Sequence, residues 1–172
     1  MEKEINLNNF ILDACCGGKM MWFDKHHPNT LYIDHRTAPK GHIKYEEAKN
    51  HEVSPDVIMD FRNLSFPDNQ FKLVVFDPPH ILRNGANGYQ VAKYGFLTKA
   101  TWESDLRRGF NECYRVLDNY GTLIFKWSEV DIPVSKIIEV IQKEPLFGHK
   151  SGKQSKTHWL CFMKIPAGAK HE

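Results

Sequence analysis

Four short apolar runs in the first 77 residues of the chain each carry an aspartate at or near the carboxyl end. These aspartates are Asp13, Asp34, Asp60 and Asp77. Short apolar runs separated by polar stretches are typical of buried parallel strands, whose carboxyl ends lie along one edge of the sheet. Open α/β sheets bind their ligands at that edge. One such aspartate alone would be an ordinary helix cap or turn residue, but four in succession predict a shared site.

The rest of the pattern predicts an α/β domain with a mostly parallel sheet. Strands that alternate with helices favour right-handed parallel crossovers, and a closing hairpin adds one antiparallel strand. Apolar residues at helical spacing and flanking prolines define the two longest helices. The predicted strands are 10–15, 30–34, 57–61, 71–77, 122–127, 147–149 and 157–163. The predicted helices are 19–26, about 45–49, 101–117 and 133–143, with a long loop at 80–100.

The composition fits one globular domain. Of the 172 residues, 41% are hydrophobic and 26% are charged, which is ordinary for a soluble protein with a single core. We therefore predict one domain over 1–172, with its core at about 10–164. No apolar run approaches the roughly 20 residues that span a bilayer, and the polar N-terminus differs from a signal peptide. These features favour a cytoplasmic protein with no membrane partner.

The cysteines and the net charge point to no metal and to no particular partner. No C-x-x-C pair occurs among Cys15, Cys16, Cys113 and Cys161, so no metal site is predicted. In a reducing compartment these residues are expected to be small buried hydrophobic side chains. The formal net charge is +2 and the pI is near 8.3. Dedicated nucleic-acid binders usually carry a larger basic excess.

Two of the aspartates lie in motifs that resemble those of a known enzyme class. Residues 13–18, D-A-C-C-G-G, resemble the glycine loop of class I S-adenosylmethionine (AdoMet)-dependent methyltransferases. Residues 77–80, D-P-P-H, resemble the D/N-P-P-Y/F/W motif of the amino-methyltransferases of this class, which include adenine N6 methylases of DNA and RNA. The resemblance extends over about 10–163. It implies AdoMet as the cofactor and a Rossmann-like sheet of strand order 3-2-1-4-5-7-6, flanked by helices, with the last strand antiparallel.

The same resemblance implies a set of cofactor-binding residues. Glycines in the loop lack a Cβ atom and let the backbone approach the methionine part of AdoMet. The carboxylates would accept hydrogen bonds from its ammonium group, its ribose hydroxyls and its adenine amino group, and an aromatic ring would flank the adenine. The implied residues are Asp13, Ala14, Cys15, Gly17, Gly18, Asp34, His35, Asp60, Phe61 and Asp77.

The D-P-P-H motif implies the catalytic residues Asp77, Pro78, Pro79 and His80. An exocyclic amine is a poor nucleophile because its lone pair is delocalised. In the resembling family, the Asp77 carboxylate and the Pro78 carbonyl would accept the two amine hydrogens and free that lone pair. The fourth residue is usually an aromatic that stacks on the target base. His80 can stack as well, but it can also act as a general base; alternatively, the prolines only end the strand and His80 is a solvated loop residue.

Basic and aromatic residues around these motifs favour a nucleic-acid substrate. Such residues combine phosphate contacts with base stacking, although they would equally suit solvated loops. The predicted substrate-binding residues are Arg83, Tyr89, Lys93, Tyr94, Lys126, Trp127, His149 and Lys150. If the substrate is DNA, a partner chain or a homodimer is expected to contribute to target recognition, because no separate recognition domain fits in this length.

Three other functions stay open from the sequence. A methyltransferase acting on a protein or a small molecule would use His80 as a base. A non-catalytic AdoMet-binding module would tolerate the loss of Asp77. A nicotinamide-dependent oxidoreductase would have a similar glycine loop, but the G-x-G-x-x-G form is absent from this one.

Overall fold

The chain folds into one mostly parallel sheet with helices packed against it. The structure is a computed structural model that describes residues 9–83, 85 and 87–168. Its strands are β1 (Ile11–Asp13), β2 (Thr30–Asp34), β3 (Val57–Ile58), β4 (Phe71–Phe76), β5 (Leu82–Arg83), β6 (Leu97–Thr98), β7 (Leu117–Ser128), β8 (Phe147–Lys150) and β9 (Thr157–Met163). Its helices are a 3₁₀ turn (Glu46–Ala48), α1 (Tyr89–Tyr94), α2 (Trp102–Val116) and α3 (Val134–Ile141).

Seven strands form the main sheet, in the order β3-β2-β1-β4-β7-β9-β8. The neighbours from β3 to β7 in this order are parallel. Strand β9 runs antiparallel to β7, and β8 runs antiparallel to β9. Numbered among themselves, the seven strands follow 3-2-1-4-5-7-6, so the predicted order and its antiparallel last strand are confirmed. The short strands β5 and β6 pair separately with each other.

The core lies between the sheet and α2. Leu106, Phe110 and Cys113 share one helix face and are almost completely buried, and each large apolar side chain buried in this way contributes about 1.5–3 kcal/mol. Gly109 allows this close packing. A Cβ atom there would overlap the ring of Phe61 and lie 3.1 Å from Phe76 Cζ, so the helix approaches the sheet only because that position has no side chain.

The predicted helix at 19–26 is wrong. The chain forms turns there, in which Lys19 N–H donates to the Cys16 carbonyl at 2.7 Å and Trp22 N–H donates to the Lys19 carbonyl at 3.2 Å. Lys19 has a φ of 53°, and a residue in the left-handed region interrupts a right-handed helix. The crossover from β1 to β2 is therefore made without an α-helix.

Two further segments differ from their predictions. The expected loop at 80–100 contains α1 and the β5–β6 pair, because Val91 and Leu97 are buried and anchor it to the domain. Strand β7 starts earlier than the predicted 122–127. An irregularity lies within this strand, where Tyr120 has a φ of 59° and the register with β4 shifts. No helix in the described part of the chain is long and apolar enough to cross a membrane.

Candidate active site

The carboxyl ends of β1, β2 and β4 lie side by side, and an aspartate stands at each. Asp13 is in register with Tyr32 of β2 and with Val75 of β4. Asp34 is the last residue of β2, and Asp77 follows β4 directly. Burial raises the pKa of Asp13 to about 7, and the nearby charges of Asp77 and Asp34 add to that rise. Three of the four predicted carboxylates therefore converge at one edge of the sheet.

An open cavity lies over this edge, and its empty space of about 720 Å³ includes open solvent. The glycine loop and the D-P-P-H loop both contribute to its wall, so two motifs far apart in the sequence meet in one site. Many of the predicted site residues line it. They are Ala14, Cys15, Gly17, Gly18, Asp34, His35, Phe61, Asp77, Pro78, Pro79, His80, Lys93, Tyr94 and Lys126.

The glycine loop is held against β2 by hydrogen bonds. Gly17 has a φ of 47°, which favours glycine, and its N–H donates to Asp34 Oδ2 at 3.0 Å. The N–H of Cys16 donates to the Ile33 carbonyl at 2.9 Å. A Cβ atom on Gly18 would lie 2.7 Å from His51 Nε2. Gly17 thus suits the left-handed turn of the loop, and Gly18 allows the close approach of His51.

Asp13 lies beneath the loop and not in the cavity wall. It is completely buried and accepts hydrogen bonds from Trp22 Nε1 at 2.7 Å and from Cys15 N–H at 3.2 Å. These hydrogen bonds fix the base of the loop and the Trp22 side chain. A hydrogen bond between Asp13 and the ammonium group of the cofactor, direct or through water, stays a prediction.

Asp34 lines the cavity, but both of its oxygens already have partners. Oδ2 accepts from Gly17 N–H, and Oδ1 accepts from Arg36 N–H at 2.9 Å and from Arg36 Nε at 3.3 Å. His35 is exposed beside it, with Nδ1 at 3.6 Å from Oδ1. A ribose at this position would share the carboxylate with Arg36, which also lies in the cavity wall.

Asp60 is held away from the cavity by an arginine. Arg62 Nε donates to its two oxygens at 2.9 and 3.1 Å, and these hydrogen bonds lower the pKa of Asp60. The same guanidinium donates to Asp105 at 3.0 Å. Asp60 is absent from the cavity lining, and its contact with the adenine amino group stays a prediction. Its neighbour Phe61 does line the cavity, and its ring packs edge-on against Phe76 at 5.4 Å.

The D-P-P-H loop places an ion pair in the cavity wall. Lys126 Nζ, from β7, donates to Asp77 Oδ2 at 2.6 Å. Burial raises the pKa of Asp77 above its usual range, and the Lys126 ammonium opposes that rise. Pro78 and Pro79 are buried, and a Cβ atom on Gly95 would lie 3.1 Å from Pro79 Cγ. Close packing therefore holds the loop in place.

His80 lies in the same wall between two aromatic side chains. Its ring centroid is 6.2 Å from that of Tyr94 and 6.2 Å from that of Trp127. Burial lowers the pKa of His80 below its usual value, although Asp77 opposes the shift. The imidazole is therefore mainly neutral at pH 7, when it can either stack or accept a proton.

Trp127 is not available as a substrate contact. It is completely buried, and its indole N–H donates to the Ile132 carbonyl at 3.0 Å. Successive side chains of a strand point to opposite faces, which is why Lys126 reaches the cavity while Trp127 packs in the core. The structure thus corrects the prediction and makes Trp127 a support beneath His80.

Four other predicted substrate contacts lie outside the cavity. His149 and Lys150 are on β8, the edge strand, and Lys150 Nζ pairs with Glu129 at 2.7 Å. Arg83 Nη1 is 3.4 Å from an Asp131 oxygen. The Tyr89 ring packs edge-on against an exposed tyrosine, Tyr45, at 4.9 Å. These four residues make surface contacts and do not line the cavity.

Four residues of the cavity wall are not among the residues predicted from the sequence. They are Cys16, Met20, Met21 and Arg36. The two methionines lie in the turn that replaces the predicted helix, so no periodic pattern marked them. Arg36 lies two residues after Asp34. This proximity to a predicted site residue was the only feature of the sequence that could have pointed to Arg36.

Comparison with solved structures identifies the fold as that of the SAM-dependent methyltransferases, here with a cavity at the carboxyl edge of the sheet. No family model matches the sequence, and no curated protein is similar to it. A TehB-like SAM-dependent methyltransferase from Corynebacterium glutamicum is 18% identical, with a TM-score of 0.52 over 91% of this chain and 80% of that chain. A SAM-dependent methyltransferase from Methanosarcina mazei is 13% identical, with a TM-score of 0.51 over 96% of this chain and 99% of that one.

The same fold also occurs in a protein described by another reaction. The [4+2]-cyclase SpnF is 12% identical, with a TM-score of 0.51 over 90% of this chain and 74% of that chain. At these identities the likeness establishes the fold alone, and the site must support the function.

Proposed function

We propose that this protein is an AdoMet-dependent methyltransferase that modifies an exocyclic amino group of a nucleic-acid base, with adenine N6 favoured. The observation that carries the proposal is the shared cavity. Its wall contains the glycine loop and also the D-P-P-H loop, and Asp77, His80 and the apolar side chain of Phe61 all line it. A cofactor loop and an amine-binding loop in one wall are what methyl transfer to nitrogen requires.

The residues of the cavity fit AdoMet. The cofactor carries a positively charged sulfonium, and the wall offers it the carboxylates of Asp34 and Asp77, which are paired with Arg36 and Lys126 in this structure. Gly17 and Gly18 leave room for close backbone approach, and Met20, Met21 and Phe61 supply apolar surface. When bound, AdoMet would supply an electrophilic methyl group.

The chain itself would bind and orient the amine. Asp77 Oδ2 is engaged by Lys126, whereas Oδ1 has no hydrogen-bond partner among the described residues. Oδ1 is therefore the acceptor for one amine hydrogen, and the Pro78 carbonyl is the acceptor for the other. Alignment of the nucleophile and exclusion of water are the main contributions of a protein to such a displacement.

The nucleic-acid part of the proposal rests on the cavity rim. Lys93 and Tyr94 line the cavity, and Lys93 Nζ lies 5.1 Å from the centroid of the Tyr94 ring. A cation next to a half-buried aromatic in the cavity wall suits a phosphate followed by a stacked base. His80, in the position of the usual aromatic, would stack on the base that enters the cavity.

A second candidate function is supported by the state of His80. Because burial lowers its pKa, the neutral ring is the main form at pH 7 and can accept a proton from the attacking group. Methyl transfer to a small molecule or a protein, with His80 as general base, would use that property.

The deciding experiment is a transfer assay with methyl-labelled AdoMet. Purified protein is incubated separately with duplex DNA, single-stranded DNA, total RNA and a protein extract, and calorimetry measures AdoMet affinity in parallel. We expect label in one nucleic-acid pool, lost in Asp77→Asn but retained in Asp68→Asn, a matched change at an exposed aspartate.

The outcomes of this assay separate the candidate functions. Tight AdoMet binding without label in any nucleic-acid pool contradicts the leading proposal. Label in protein or in added small molecules would favour the second candidate. A function that survives Asp77→Asn would instead indicate a non-catalytic AdoMet-binding module.

A further inference from the structure

A second pocket adjoins the proposed methyl-transfer cavity and shares part of its wall. Its empty volume is about 870 Å³. Gly17, Gly18, Met20 and Lys93 line both spaces, so the glycine loop separates them. A group bound in the second pocket would therefore belong to the ligand in the methyl-transfer cavity or to a second ligand beside it.

The second pocket is rich in cations that have no carboxylate partner. Lys19, Lys25 and Lys93 line it, and none of the three forms an ion pair with a described residue. Lys19 is only 8% exposed, and its Nζ lies 4.1 Å above the Tyr32 ring. Buried charges are normally paired, because leaving them unpaired in a poorly solvated place is costly. An anionic ligand would provide the missing partner.

The histidine of the pocket points to the same conclusion. Both ring nitrogens of His51 are inaccessible to solvent and lack a hydrogen-bond partner in the described chain. Burial lowers the pKa of His51, and the neighbouring basic side chains of Lys93, Arg36 and Lys25 lower it further. The ring of His51 therefore lies among several cationic side chains.

Two glutamates also line the pocket but do not cancel this charge. Glu52 is directed to Lys40, which lies outside the pocket wall, at 3.8 Å. Glu47 is in the exposed 3₁₀ turn. Neither carboxylate lies within 4.0 Å of any of the three lysines. The contacts of Lys19 and Lys93 are instead with tyrosine rings, which leave their charges unneutralised.

We propose that this second pocket binds a phosphate group of the substrate strand, next to the base that enters the methyl-transfer cavity. The inference rests on the proposed function and names its substrate class, a single-stranded nucleic acid. Lys93 would link the two sites, because it borders both spaces and lies close to the Tyr89 and Tyr94 rings. The phosphate would lie among the Lys19, Lys25 and Lys93 ammonium groups.

Binding of a single-stranded nucleic acid tests the second pocket without requiring catalysis. The probe is a fluorescent single-stranded DNA of twelve nucleotides, together with its uncharged methylphosphonate analogue. At 0.1 M salt we expect Lys25→Ala and Lys93→Ala each to weaken binding of the phosphate strand roughly fivefold, because each removes about one phosphate contact. The salt slope should fall by about 0.7 for each. Lys143→Ala is the matched control, since Lys143 packs over Tyr114 and not in the pocket.

The results separate this inference from the proposed function. Equal binding by wild type and both pocket variants, or equal binding of the charged and uncharged strands, would overturn the phosphate pocket. Loss of AdoMet affinity in these variants, with strand binding intact, would assign the pocket to the cofactor carboxylate and overturn it as well. In a further outcome, binding of single-stranded DNA depends on Lys25 and Lys93 while no nucleic-acid pool is methylated in the labelling assay. That result would support the phosphate pocket and contradict the proposed reaction.

Discussion

The Nζ atom of Lys126 lies 2.6 Å from Oδ2 of Asp77, although 49 residues separate them in the sequence. The pair joins the end of β4 to β7 across the wall of the cavity. Its ammonium opposes the effect of burial on the pKa of Asp77, so the carboxylate that would accept the amine hydrogen stays ionised to a lower pH than it would alone.

Replacing Lys126 should move the acid limb of the pH–rate profile. In Lys126→Met the pKa of Asp77 rises, because burial is no longer opposed. If methyl transfer needs ionised Asp77, activity is lost as pH falls through that pKa, and this loss begins at higher pH in the variant. The rate of label transfer from pH 4 to pH 9 measures the effect. Lys126→Arg keeps the charge and should leave the limb in place; an unmoved limb in Lys126→Met would contradict the prediction.

Two substitutions at His80 distinguish stacking from base catalysis. If the ring stacks on the target base, His80→Phe retains methyl transfer, whereas His80→Ala weakens substrate binding by roughly 5- to 150-fold, from about 1–3 kcal/mol of stacking. We expect this pattern. Loss of turnover in both variants, with substrate binding retained in His80→Phe, would instead assign His80 as the base.

Gly109 connects the packing of α2 to the cavity. Gly109→Ala places a Cβ atom against the Phe61 ring, and such overpacking typically costs about 1–3 kcal/mol, partly offset by the about 1 kcal/mol that alanine gains in a helix. We expect lower stability in urea denaturation and weaker AdoMet binding, since Phe61 lines the cavity. Gly152→Ala is the control, because its Cβ atom meets nothing within 4 Å. Unchanged stability and AdoMet affinity in Gly109→Ala would contradict the packing described.

Asp13 should make stability depend on pH near neutrality. Its pKa rises from an ordinary value of 3.8 to about 7 in the folded chain, so the folded state holds a proton that the unfolded state has lost. The free energy of unfolding should therefore fall between about pH 4 and pH 7, by on the order of 4 kcal/mol from this group. Urea denaturation across that range measures the fall.

Asp13→Asn is the test of that pH dependence. The variant has no ionisable group at this position, so its stability should lack the fall between pH 4 and pH 7. It loses a carboxylate acceptor for Trp22 or Cys15, which lowers stability by a constant amount at every pH. Parallel pH profiles for wild type and variant would show that Asp13 does not titrate as described.

Much of the fold could be predicted because its signals are local. The apolar runs located the strands at 30–34 and 157–163 correctly, and helical spacing located α2 to within one residue at each end. Left-handed Lys19 and the burial of Val91 carried no such local signal. The helix predicted at 19–26 was therefore wrong, and α1 was missed.

The sequence by itself determined the motifs, the strand ends and the residues near the site: Asp34 and Asp77 line the cavity because each follows a parallel strand to the same edge. Tertiary structure decided which polar groups remain available. Arg36 and Arg62 engage Asp34 and Asp60, Lys126 reaches Asp77, and Trp127 turns into the core. The physical reason is that hydrogen bonding and burial depend on side-chain direction and distance in space. Neither quantity is encoded in the spacing of residues along one strand or loop.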